Sequence, residues 1–67
     1  MYKIKEDVAK IIREKYKLSY LTKNAGVTRQ HIYTILNKGQ VCSKVVAYCI
    51  TKCIDKNAEI DDYFIKI

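Results

Sequence analysis

The chain has 67 residues, a formal net charge of +6, two glycines, no proline and one histidine. That length allows one domain, residues 1–67, and a domain this small buries only about 60% of its unfolded surface, which leaves little room for a substrate cleft. The longest uncharged apolar run, Val45 to Ile50, is far below the roughly 20 residues a bilayer requires. With no leader segment legible, a cytoplasmic protein without a membrane partner is expected.

The charge is unevenly placed. Residues 1–40 hold nine basic and three acidic residues, whereas residues 41–67 hold four of each. The entire excess therefore lies in the first part of the chain, and a polyanion suits that part. A lysine-rich surface that serves only solubility is the alternative.

In chain order, Ile4, Val8, Ile11 and Ile12 recur at i, i+4, i+7 and i+8, which predicts a first helix over residues 2–15. Arg13, Lys15 and Lys17 at its end suit phosphate oxygens, or else form a solvated face. Tyr16 to Tyr20 makes a connection, with Tyr16 turned inward and Ser19 a candidate cap for a short second helix that closes at Ala25. Gly26 enters the left-handed conformation without a Cβ clash. Val27 plugs the corner, and the Thr28 hydroxyl can cap the next helix. The third residue on is His31, so only half of a capping box is present.

The helix over about 28–38 sorts its faces. Ile32, Ile35 and Leu36 share a stripe, Gln30, Thr34 and Asn37 lie opposite, and Tyr33, His31 and Lys38 take the margins. Arg29 sits at the tip, and Gly39 stops the helix. After a loop over 39–42, Ser43 can cap a helix over 44–56. In it Val45, Val46, Cys49, Ile50, Cys53 and Ile54 cover nearly half the circumference, as in a central core helix, and Asn57 can end it. Ile60, Tyr63, Phe64 and Ile67 predict a short C-terminal helix over about 58–66, a lid on the core or a contact for a second copy.

Leu21, Ala25, Gly26, Val27, Ile32 and Ile35 stand at the spacing found in the helix-turn-helix of phage Cro and repressor-like DNA-binding domains. The chain resembles that family, more loosely, over nearly its whole length. Thr22 departs from the pattern, because the family usually has alanine there and the hydroxyl needs a partner. Tyr16-Lys17 departs too, standing where the family usually caps the first motif helix.

The resemblance implies an all-α fold, a compact lambda-repressor-like bundle of five short helices. It also implies that the helix at about 28–38 enters the major groove. Base readout then falls to Thr28, Arg29, Gln30, Tyr33 and Thr34. The Gln30 amide matches adenine N6 and N7, and Arg29 matches guanine O6 and N7. Phosphate contacts fall to Lys17, Ser19, Tyr20, Lys23, His31, Asn37 and Lys38.

Other chemistry finds little support. Cys42, Cys49 and Cys53 match no common zinc spacing, and free buried thiols are expected. Asp61 and Asp62 are adjacent and face different ways on a helix, and no nucleophile–base pair is legible. No enzyme, cofactor, metal or small-molecule ligand is expected. The expected function is a Cro-like transcriptional regulator, of phage or mobile-element origin by resemblance. It would bind a double-stranded operator as a homodimer, with the C-terminal helix a candidate contact. The alternatives are a repressor-like fold that binds another protein, such as an antirepressor, and a non-specific binder of nucleic acid, RNA included.

Overall fold

Two short strands from opposite ends of the chain bracket five helices in the computed structural model, which describes residues 1–67. The order is β1 (Tyr2–Ile4), α1 (Glu6–Lys15), α2 (Leu18–Ala25), α3 (Arg29–Lys38), α4 (Lys44–Ile54), α5 (Ile60–Tyr63) and β2 (Phe64–Lys66). No helix is long and apolar enough to cross a membrane.

The five expected helices make up most of the chain, and a small two-stranded sheet is added to them. β1 and β2 pair antiparallel, with Tyr2 opposite Lys66, Lys3 opposite Ile65 and Ile4 opposite Phe64. Ile4 and Phe64 both point into the core, exposed by only 4% and 1%. The pairing is extended at both ends, where Lys5 N–H donates to Tyr63 O and Ile67 N–H to Met1 O, each at 2.9 Å. On the other edge of β1, Tyr2 and Cys42 exchange two backbone bonds at 2.8 Å. β1 thus lies between β2 and the loop before α4. The helices expected over 2–15 and about 58–66 are shortened accordingly, and of the second only four residues are helical.

α1 places Glu6 and Asp7 in its first turn, where carboxylates oppose the helix dipole favourably. Its buried residues are Ala9 and Ile12, whereas Ile11 is half exposed, so the apolar stripe is rotated from the expected one. In α4 the centre of the buried face is Ala47, Ile50 and Thr51. Val45, expected in the stripe, is 71% exposed. The Ser43 hydroxyl caps this helix by accepting Val46 N–H at 3.3 Å.

α4 ends at Ile54 rather than near Asn57. The Asp55 carboxylate accepts Asn57 N–H at 2.9 Å, an Asx turn that competes with helix. Lys52 Nζ donates to the carbonyls of Lys56 at 3.2 Å and Ala58 at 2.7 Å, winding the turn back toward α5. There Asp62 accepts Glu59 N–H at 2.9 Å.

One core serves the molecule, with Ile12, Leu21, Ile32, Ile35, Ile50 and Phe64 among its fully buried side chains. Burial of each large aliphatic or aromatic side chain stabilises by about 1.5–3 kcal/mol. Two hydroxyls work against it: Thr22 Oγ1 and Thr51 Oγ1 are buried and unpaired. Burial pushes the Cys42 thiol up, with the charged amino terminus opposing in part, and pushes the Cys53 thiol up as well. The Tyr63 phenol is also raised, first by burial and then by Asp55, Tyr16 and Asp62.

Candidate nucleic-acid interface

α3 is anchored at both ends, which leaves one face free. At its start the Thr28 hydroxyl accepts His31 N–H at 3.3 Å, so Thr28 serves the helix as expected and keeps only its own O–H to offer outward. The turn before it runs through Gly26 at φ 69°, a conformation that costs an L residue roughly 1–2 kcal/mol. Val27 is buried in the corner. At the other end Gly39 takes φ 65°, and Gly39 N–H and Gln40 N–H both go to Thr34 O. Arg13 Nη1 of α1 donates to Leu36 O.

Ile32, Ile35 and Leu36 seat α3 on the core with 0%, 0% and 4% exposure. Opposite them Arg29, Gln30, Tyr33 and Asn37 are exposed, and His31 and Thr34 are half-buried. Not all of these polar groups are equally available. Thr34 Oγ1 donates to His31 O at 2.9 Å and Asn37 Nδ2 to Tyr33 O at 3.1 Å. Both donors are held by their own helix. Arg29, Gln30 and the Tyr33 hydroxyl have no intramolecular hydrogen-bond partner, so they are the groups free to bind outward.

α2 packs against α3, and its start is a second exposed polar surface. Its cap residue is Lys17, extended at φ −79° and ψ 147°, and no side chain caps the helix. Ser19 lies inside the first turn and is not the cap, because the chain is still extended at Tyr16 (φ −123°, ψ 138°) and turns helical directly after Lys17. The first amide bonded back is that of Leu21, donating to Lys17 O at 3.2 Å. The amides of Leu18, Ser19 and Tyr20 therefore point out of the helix without intrahelical acceptors. No acidic residue stands in that turn.

A shallow groove of about 720 Å³ opens there, bordered by Lys15, Tyr16, Lys17, Ser19, Tyr20 and Lys23. The Tyr16 and Tyr20 rings stack across it, 5.6 Å between centroids and 27° between planes. Unpaired amides, a hydroxyl and three ammonium groups form a surface suited to oxyanions. Four of the residues expected to hold phosphate (Lys17, Ser19, Tyr20 and Lys23) are thereby brought together. Lys38 is separate, at the far end of α3 beside Lys3 and Gly39. His31 is on the margin, as expected.

Arg13 is not in the groove with Lys15 and Lys17, because its guanidinium is turned to the end of α3. Nothing in the local spacing signals this, since the bond joins residues 23 positions apart. Asn24 is a further polar residue at the groove, with its amide donating to Tyr20 O at 2.8 Å. No group of three or more His, Cys, Asp or Glu residues stands together, and all three thiols are free. No family model, curated protein or solved structure matches the chain.

Proposed function

We propose that the chain is a sequence-specific binder of double-stranded DNA that regulates transcription, with α2, the Gly26 turn and α3 acting as a helix-turn-helix of the Cro/repressor-like kind. The observation that carries this reading is a pair of surfaces on two helices that pack against each other, α2 and α3. One is the free polar face of α3, and the other is the basic, uncapped start of α2. Insertion of α3 into the major groove aims Gln30 and Arg29 at base edges, since the N-terminal part of such a helix meets the bases. The start of α2 then lies against the backbone, where three free amides and Lys17, Lys23 and Ser19 receive phosphate oxygens.

The longest dimension of the molecule is 27 Å. Successive major grooves on one face of the duplex are about 34 Å apart, so one copy reads one half-site and a second copy reads the next. The segment available for pairing two copies is not the helix expected there. Phe64 is buried within β2, and Ile65 in the strand and Ile67 just after it are exposed.

Binding to another protein is the second reading, favoured by exposed Val45 and Tyr48 on α4. Duplexes selected from a random pool, then assayed over a range of salt, test the proposal. Gln30→Ala weakens binding to the selected duplex by about 1–3 kcal/mol and largely spares a scrambled duplex. Lys23→Ala weakens both and lowers the salt slope by about 1. Failure of the unaltered protein to bind any duplex at low ionic strength removes the proposal and favours the second reading.

A further inference from the structure

We propose that Arg13, which lies outside both surfaces, is a positioning residue for the reading face: it sets how α3 is seated, through Leu36 O, and does not itself touch DNA. The inference rests on the DNA-binding reading above. α3 has ten residues, and its last carbonyls have no amide ahead of them because the chain leaves the helix at Gly39. The carbonyl of Thr34 is served by the amides of Gly39 and Gln40. That of Leu36 is served by Arg13.

A guanidinium at a helix C-terminus meets both an open acceptor and the negative end of the helix dipole. The same end of α3 also packs beside β1. The start of α3 is fixed by the Thr28 cap and buried Val27, both encoded within the turn itself. The far end is tied by a side chain from α1. α3 stays seated on the core by Ile32, Ile35 and Leu36, and losing the Arg13 bond lets it tilt on that seat, which moves the side chains at both of its ends relative to α2. Base readout is sensitive to such a movement because its hydrogen bonds are short and directional. Phosphate attraction is not, because it depends on charge at longer range.

The consequence is a split that a phosphate-binding arginine does not produce. R13A lowers the ratio of affinities for a selected over a scrambled duplex by about tenfold, the value of one good base contact, and leaves the salt slope unchanged. R13K, which keeps a cationic donor but has a shorter reach and no planar guanidinium fork, falls between R13A and the unaltered protein. Equal loss on both duplexes with a slope smaller by about 1 makes Arg13 a phosphate contact and overturns the proposal.

Amide exchange in the DNA-free protein supplies the second measurement. R13A speeds exchange at Gly39 and Gln40, whose amides close the end of α3, while R29A leaves them unchanged. Unaltered exchange in R13A also overturns the proposal. Should the unaltered protein prefer no duplex, the DNA reading fails, and the exchange result still decides whether Arg13 anchors the helix.

Discussion

The middle of this molecule and its two ends are held by different physics. α2 and α3 are bounded by groups a few residues away in sequence: Gly26 at φ 69°, the Thr28 cap and Gly39 at φ 65°. β1 and β2 hold each other, with Ile4 opposite Phe64 across the length of the chain. The middle needs the core to be stable but carries its own shape. The ends have no shape until they meet, because three residues of strand are far too few to persist alone. The surface proposed to bind DNA therefore sits on the self-defined part. The early chain reaches it through the shared core and through one side-chain hydrogen bond, from Arg13 to Leu36 O.

The sharpest break is at the ends. Phe64→Ala removes the largest fully buried side chain and costs about 3–5 kcal/mol, a large fraction of the stability of so small a domain. Denaturant titration checks this, and a loss below about 1 kcal/mol means the strands are not part of the cooperative core. Next come the turn glycines. Gly26→Ala has nothing within 4 Å to strike, so its cost is the left-handed backbone alone, about 1–2 kcal/mol. A neutral result by thermal melting would show that the turn at residue 26 relaxes out of that conformation. Thr28→Ala is smaller, about 1 kcal/mol for the lost cap, and circular dichroism should show α3 shortened at its start with the rest intact.

The mildest effect separates the regions by pH. Burial holds the Cys42 thiol and the Tyr63 phenol, both beside the strands, and the Cys53 thiol of α4 above their ordinary values. The unfolded chain then loses these protons first, so their contribution is complete below the ordinary thiol value of 9.0 and declines as pH rises through the folded values. Amide exchange followed above that pH is expected to rise first at Tyr2, Lys5 and Ile67. An earlier rise in α3 would reverse the comparison.

The same division governs how much could be read in advance. The bounds of α3, both turn glycines and the Thr28 and Ser43 caps were legible, since each is a property of residues within one helical turn. The exposed polar face and the seated apolar face of α3 followed from its period. The ends misled because Ile4 with Val8 and Ile60 with Phe64 satisfy a helical spacing, while Ile4 and Phe64 also satisfy strand alternation. Short apolar segments fit both periods, and only a partner decides between them. Of the residues expected at phosphate, Lys17, Ser19, Tyr20 and Lys23 border one groove, whereas His31, Asn37 and Lys38 lie on α3 outside it. Ser19 is not the cap and Arg13 is not with Lys15, because a backbone angle at Lys17 and a bond to α3 displaced them.

The amino-acid order alone determined the middle helices, the breaks between them, the charge asymmetry and the division of α3 into a greasy and a polar side. All of these depend on neighbours closer than about one turn. Tertiary structure alone decided that the termini are strands, that β1 pairs with Cys42 on its other edge, and that Arg13 faces Leu36. The reason is physical: extended pairing and long-range hydrogen bonds stabilise only after distant segments have been brought together, so nothing in either segment by itself favours them.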